Sequence, residues 1–288
     1  MEIVRSIADM QTRAEGLRRE GKSIGIVPTM GFLHDGHLSL IARARKETNV
    51  VVTTLFVNPA QFGLNEDLEQ YPRDPVRDEK LAAEAGTDIL FMPETRDMYP
   101  EGYRTYVVTE ELAGILEGKI RPTHFRGVTT VVMKLFQIVK PHTAVFGQKD
   151  AQQAAIIRQM IRDLNLDVRL IVAPIVREAD GLAMSSRNIY LNPDERKSAV
   201  ALWKSLRFAK DAIGRGERSI VVLRSGMEVM LQEARASSID YIAFVHPNTF
   251  REIDEIGPPE VLIALAVRFG RTRLLDNAIV SVPAEATS

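Results

Sequence analysis

His34 and His37 stand three residues apart in the run Val27-Pro28-Thr29-Met30-Gly31-Phe32-Leu33-His34-Asp35-Gly36-His37. An apolar, strand-like stretch at 23–27 enters this run, and a helix-like stretch at 38–47 leaves it. A helix starts with N–H groups that lack intrahelical partners, at the positive end of its dipole, and there it suits a phosphate. Imidazoles at the same place add donors that a backbone cannot supply. These residues therefore suit the holding of an ATP phosphate chain. The P-loop pattern fails, because His37 stands where lysine belongs and Leu38 where serine or threonine belongs. No G-x-G-x-x-G fingerprint follows a strand, and a zinc site from the two histidines lacks a plausible nearby third ligand. Isolated histidines would read as an ordinary surface turn. Two that flank a glycine at a strand-to-helix turn reverse that preference.

Other groups fall at similar places. Phe146-Gly147-Gln148-Lys149-Asp150 lies between a strand-like and a helix-like stretch, where Lys149 would offset phosphate charge and Asp150 would cap the helix. By itself this is as much a surface loop as a site. Two such loops strengthen one another, because strand ends of one sheet share an edge. Met184-Ser185-Ser186-Arg187-Asn188 is a polar turn with one cation and alone reads as a linker. Gln61, after Asn58-Pro59, and Gln153, in the first turn of its helix, offer neutral amides suited to hydroxyl and carboxylate recognition. Thr123-His124-Phe125-Arg126-Gly127 adds a further polar group, or a helix cap.

The alternation of elements sets the scaffold for these groups. A helix is expected within 1–20, then strand 23–27, helix 38–47, strand 49–57, helix 75–85 and strand 88–92. That β-α-β-α-β order implies an α/β fold with a doubly wound parallel sheet, whose ligand crevice lies at the carboxyl ends of its strands. An edge strand is expected at 103–109, then helix 126–139, strand 143–146, helix 151–164 and strand 168–173. The rhythm ends there, which places a domain boundary near 177. Beyond it, one long amphipathic helix at 193–213, a second at 219–234 and strands at 241–245 and 261–267 suit a smaller α+β domain with an antiparallel sheet. The Ala-Thr-Ser tail is expected to fray.

Composition narrows the function classes. At 288 residues the chain has room for one large or two medium domains. A net charge of −1 argues against a general nucleic-acid or membrane-surface binder. The absence of cysteine excludes disulfides, thiolate catalysis and cysteine-bound zinc. Arg5, Asp9 and Arg13 interrupt any signal-peptide core, and runs such as 261–267 are too short to span a bilayer. A cytoplasmic protein is expected.

Taken together, the motifs are specific. Pro28-Thr29-Met30-Gly31-x-Leu33-His34-x-Gly36-His37 resembles the His-x-Gly-His loop of the pantothenate synthetases (pantoate–β-alanine ligases). So do Phe56-Val57-Asn58-Pro59-x-Gln61-Phe62, Tyr71-Pro72-Arg73 and His124-Phe125-Arg126-Gly127-Val128. Phe146-Gly147-x-Lys149-Asp150-x-Gln152-Gln153, Met184-Ser185-Ser186-Arg187-Asn188 and Thr272-Arg273-Leu274-x-Asp276-Asn277 complete the series in the family's order. The His-x-Gly-His loop alone would indicate only the broad nucleotidyltransferase superfamily.

The resemblance implies a Rossmann-like catalytic domain over 1–177, a smaller domain over 178–288 that closes over the site, a homodimer and a magnesium requirement. It implies condensation of pantoate with β-alanine at the expense of ATP, through a pantoyl adenylate, with release of AMP and pyrophosphate. ATP would be surrounded by Met30, Gly31, Phe32, Leu33, His34, Asp35, Gly36 and His37, by Gly147, Gln148, Lys149 and Asp150, by Val176, and by Met184, Ser185, Ser186 and Arg187. His37 would be the proton donor; His34, Lys149 and Arg187 would join it in stabilising charge. Gln61 and Gln153 would hold pantoate, with Gln61 also near β-alanine. Phe56, Phe62 and Phe146 are candidates for a dry wall around pantoate's methyl groups. Two departures are visible: Gln148 stands where many members have glutamate, and Ala151 where an aromatic residue is expected. Neither removes a reacting group. Two rival readings are an adenylyltransferase acting on another, phosphorylated substrate, which would want more cations at the acceptor site, and a non-catalytic nucleotide-binding regulator.

Overall fold

A computed structural model describes residues 1–63 and 66–283; the expectation for the Ala-Thr-Ser tail lies outside them. The chain divides into two compact units, Met1–Gln148 with Gln152–Pro174, and Lys149–Ala151 with Ile175–Ser288.

The first unit is built on six parallel strands: β1 (Glu2–Val4), β2 (Ile24–Thr29), β3 (Val50–Leu55), β4 (Ile89–Phe91), β5 (Thr143–Gly147) and β6 (Arg169–Ala173). Their order in the sheet is β1-β4-β3-β2-β5-β6. The order reverses at β2, which pairs with β3 on one side and β5 on the other. Such a switch point leaves a crevice outside the carboxyl ends of the two diverging strands. Helices α1 (Ile7–Arg19), α2 (Asp35–Glu47), α3 (Pro75–Glu84), α4 (Thr95–Met98), α5 (Glu117–Ile120), α6 (His124–Val139) and α7 (Ala151–Asp163) connect them.

Alternation of side chains along the strands separates two cores. Ile24, Ile26, Val52, Ala144 and Phe146 pack on one face with Met10 of α1, Val132 of α6 and Ile157 of α7. Val27, Val51 and Val145 pack on the other with Leu40, Ile41 and Ala44 of α2. On that side Leu90 meets Leu33 and Ala82 of α3. With both faces covered, the strands read as continuous apolar runs.

The second unit pairs β7 (Ser238–Val245), β8 (Glu260–Phe269) and β9 (Thr272–Ser281) into an antiparallel sheet in the order β7-β8-β9. Helices α8 (Pro193–Ala199), α9 (Ala201–Gly214) and α10 (Ile220–Glu233) precede it. Leu202, Leu206 and Ile213 of α9 and Leu223, Met227 and Leu231 of α10 share one core with Phe244, Ile263 and Leu265. Among the described residues no helix is long and apolar enough to cross a membrane.

Four local expectations change. The first twenty residues hold a short strand before their helix, and the strand is closed off by Ser6, whose hydroxyl caps α1 at Asp9. The stretch 103–109 is not a strand. The Val107 N–H donates to Thr130 Oγ1 at 3.0 Å, and its carbonyl accepts from Thr129 Oγ1 at 2.7 Å, so α6 side chains take the bonds a strand partner would. The long helix expected over 193–213 breaks at Val200 into α8 and α9, with both Ala199 and Leu202 buried. Strand β9 was not expected, because Arg273, Asp276 and Asn277 interrupt its apolar pattern.

Candidate active site

In the first unit, the turn after β2 is shaped by its own backbone requirements. Gly31 lies at φ +86° and Phe32 at φ +49°, both left-handed. Asp78 of α3, buried, holds this conformation: its two carboxylate oxygens accept the N–H groups of Phe32 and Leu33, each at 2.7 Å. Burial pushes the Asp78 carboxyl above its usual range, and the two backbone bonds oppose that shift. Leu33 is fully buried and pins the turn to the core.

The helix α2 starts earlier than its apolar pattern suggests, so both histidines belong to its cap. His34 is the N-cap residue, and its Nδ1 accepts from Gly36 N–H at 3.2 Å. His37, in the first turn, returns the bond: its Nδ1 accepts from His34 N–H at 3.3 Å. This is a capping box made with imidazoles. Their ring centroids are 4.0 Å apart. A nitrogen that accepts from an N–H cannot carry a proton, so in this arrangement each ring is neutral with its proton on Nε2. The cap thus fixes the tautomer, and makes Nε2–H the donor of both rings.

The turn after β3 supplies Gln61, buried at 8% exposure. Its Nε2 contacts Met30 Sδ at 3.1 Å, which brings the β2 and β3 turns together. Its Oε1 accepts from Asn58 Nδ2 at 3.1 Å, and the same Nδ2 donates to the Gly127 carbonyl. Asn58 Oδ1 accepts from Tyr99 OH at 2.7 Å, so the Gln61 amide is held by a chain of oriented groups. The Gln61 carbonyl accepts from His124 Nδ1 at 2.9 Å. Burial lowers the His124 pKa to about 4, with the Arg121 guanidinium a second cause. Gln153 lies half-buried in the first turn of α7. Its neighbour Gln152 is structural: its Nε2 donates to the Leu112 and Ile115 carbonyls, and its Oε1 accepts from Glu117 N–H. Of the three phenylalanines, Phe56 and Phe146 are buried in the core, while Phe62 is half-buried and meets Tyr71 edge-on. Gly147 ends β5 beside β2, and Gln148 follows it in a short 3₁₀ turn.

The second unit carries the remaining candidates. Lys149 Nζ stands 3.5 Å from Asp150 Oδ1, at the start of α7. Val176 and Met184 close a small hairpin, the Met184 N–H donating to the Val176 carbonyl at 3.0 Å. At its turn Gly181 sits at φ +98°, where a Cβ would lie 1.9 Å from the Trp203 ring, so only glycine fits. The hairpin delivers Ser185, whose Oγ accepts from Arg187 N–H at 3.2 Å and caps the 3₁₀ turn Ser186–Tyr190. Asn188 ties that turn back to Glu178 and to the Ala183 carbonyl.

Among the described residues no three His, Asp or Glu side chains gather into a metal cage. Magnesium keeps several waters and binds readily to phosphate oxygens, so it needs no such cage to accompany ATP.

Several residues that shape the site were not singled out for it in the sequence. Asp78 looked like one more acid in the first turn of a helix; only its place one turn before buried Ala82 hinted that it points inward. Asn58 looked like a turn former. Arg177 stood at the expected domain boundary.

A parallel sheet with a switch point at β2, and a histidine-capped helix after it, puts the chain in the class of α/β proteins with a His-x-Gly-His loop. The profile of the pantoate-beta-alanine ligase family matches residues 2–279. The pantothenate synthetase of Acetivibrio thermocellus is 52% identical over 282 residues, 98% of this chain and 100% of that one. A crystal structure of pantothenate synthetase from Thermus thermophilus superposes with a TM-score of 0.91 at 44% identity, covering 96% of this chain and 99% of that one. Another, of the pantoate-beta-alanine ligase from Francisella tularensis complexed with beta-gamma ATP and beta-alanine, gives 0.79 at 34% identity, covering 97% of each chain. This chain belongs to the pantoate–β-alanine ligase family.

Proposed function

We propose that this chain joins pantoate to β-alanine at the expense of ATP, through a pantoyl adenylate. The observation that carries the chemistry is the imidazole capping box at the amino end of α2, in which the Nδ1 of each ring accepts a backbone N–H. Pantoate's carboxylate oxygen attacks the α-phosphorus of ATP in line, the bond to the β-phosphate oxygen breaks, and pyrophosphate leaves. The β-alanine amine then attacks the acyl carbon, loses a proton, and AMP departs with the shared oxygen. A free carboxylate is a poor acceptor for an amine; the mixed anhydride provides a good leaving group.

Both reactants of the first step are anions, so fixed donors must offset repulsion and stabilise the charge on the phosphoryl oxygens. In this reading His34 and His37 donate from Nε2. The resemblance adds Lys149, Ser185, Ser186 and Arg187 as further partners of ATP, and Gly147, Gln148, Asp150, Val176 and Met184 as residues around it. Met30 to Leu33 form its backbone cradle. Gln61 and Gln153 hold pantoate through neutral amides, which suit a hydroxy acid better than a phosphorylated acceptor. Magnesium, carried on the triphosphate, would supply further charge neutralisation. A homodimer is the assembly that the resemblance implies, and light scattering on the purified chain tests it; a cytoplasmic setting is the expectation from the charged N-terminal run alone.

The decisive assay supplies ATP, pantoate and β-alanine and follows AMP and pantothenate. AMP and pantothenate formed in equal amounts, dependent on all three substrates, is the expected result. ADP as product, or ATP consumption without pantoate, would overturn it. His37→Ala should slow adenylation about 10²–10³-fold with the fold intact; near-normal turnover would refute its role.

A further inference from the structure

Asn277 Nδ2 donates to the backbone carbonyl of Lys149 at 2.9 Å. Asp276 and Asn277 are adjacent on β9 and only 2% and 3% exposed. Successive strand residues face opposite sides of a sheet, so this strand buries polar groups on both faces, opposite Leu265 and Ala264 of β8. Burial without partners would be costly. Both have partners. Arg177 grips Asp276 with two bonds, 2.7 and 2.9 Å, and its guanidinium stacks on Trp203 with 3.9 Å to the ring centroid. Asp276 Oδ1 also accepts the N–H of Asn277, which sets the backbone from which the Asn277 amide reaches Lys149. Residues Lys149–Ala151 group with this unit, although β5 before them and α7 from Gln152 onward belong to the other.

We infer that Asn277, held by Asp276 and Arg177, is a positioning residue that fixes the Lys149 backbone and thereby aims its ammonium group. Arg177 has a second effect. A lone Asp276 carboxylate would compete for the Lys149 ammonium; the two-bond grip of Arg177 engages it, so that Asp150, 3.5 Å from Lys149 Nζ, is the carboxylate beside the lysine. The inference rests on the proposed role of Lys149 in ATP chemistry. A carbonyl hydrogen bond far from the reacting atoms matters because small displacements of a charged group carry large rate effects.

A double-mutant cycle tests this. Asn277→Asp keeps the shape but puts an acceptor against the Lys149 carbonyl. Expected are a fall in kcat of about tenfold or more, a pantoate KM within about twofold of the parent, and less than about twofold further loss when the change is added to Lys149→Ala. Asn277→Ser, which retains a donor, is the substitute if the aspartate variant does not fold, and the same coupling is expected. Equal losses in both backgrounds would overturn the inference, since the residue would then act on the fold and not on Lys149. An unchanged kcat for the Asn277 variant beside a crippled Lys149→Ala would overturn it alone. Full activity in Lys149→Ala would overturn the role of the lysine itself, and the inference with it.

Discussion

Asp78 accepts the Leu33 N–H at 2.7 Å across 45 residues of sequence, and with its other oxygen takes Phe32 at the same distance. A non-glycine residue in the left-handed region costs roughly 1–2 kcal/mol, and Phe32 is one. Hydrogen bonds to a charged acceptor contribute about 1.5–3 kcal/mol each, enough to hold the turn. Asp78→Asn should place an amide donor against one of the two N–H groups. A destabilisation of about 1–3 kcal/mol, with a larger relative loss of turnover, is expected from denaturant melts and steady-state rates on the same sample. Unchanged stability and turnover would refute the anchoring role.

His34 has two jobs that can be separated. Asparagine is a good N-cap residue, so His34→Asn should cap α2 without supplying an imidazole. Its melting temperature should stay close to the parent's while adenylation falls about 10²–10³-fold. His34→Ala should lose both, with a stability cost of about 1 kcal/mol. If the asparagine variant turns over ATP normally, His34 is only a cap.

His124 predicts a pH dependence. Its folded pKa is lowered to about 4, against an ordinary value of 6.5. Between those values the unfolded chain binds the proton and the folded chain does not, so stability rises with pH in that window. The contribution is complete above about pH 6.5 and is lost as pH falls towards 4, on the order of 3 kcal/mol in total. His124→Asn, whose amide can still donate to the Gln61 carbonyl, should flatten this part of the profile. Parallel melting curves for parent and variant at pH 7 and 5 would contradict it.

Gly127 allows α6 to lie against the turn that carries Gln61. A Cβ there would fall 2.2 Å from the Ala60 carbonyl oxygen and 2.5 Å from Gln61 N. Gly127→Ala should therefore move the turn, cost about 1–3 kcal/mol, and raise the pantoate KM more than the ATP KM. An unaltered ratio of the two constants would break the proposed link between Gln61 and pantoate.

The legible parts of the sequence were those in which local chemistry and tertiary packing agree. The β2–loop–α2 segment announced itself through its apolar run, its glycines and His34-x-x-His37, and the parallel sheet followed from the β-α alternation. What escaped depends on groups brought together from far apart. Strand β9 hid because Asp276 is buried against Arg177, 99 residues away, where pattern reading expects an apolar side chain. The 103–109 stretch alternates like a strand, yet its backbone is claimed by threonine hydroxyls from α6. The histidine tautomers could not be read from residue types, since they follow from which ring nitrogen meets which N–H.

Strand β2 puts Ile24 and Ile26 into one core and Val27 into the other, and the next seven residues end on His34, the N-cap of α2. A strand shifted by one residue exchanges its faces. Spacing is therefore under stricter control here than identity: one aliphatic residue replaces another at modest cost, whereas inserting or deleting a single residue between Ile24 and His34 would invert two cores or misplace the imidazoles. Designers who graft, lengthen or permute this chain should treat that interval as a ruler and put new length elsewhere.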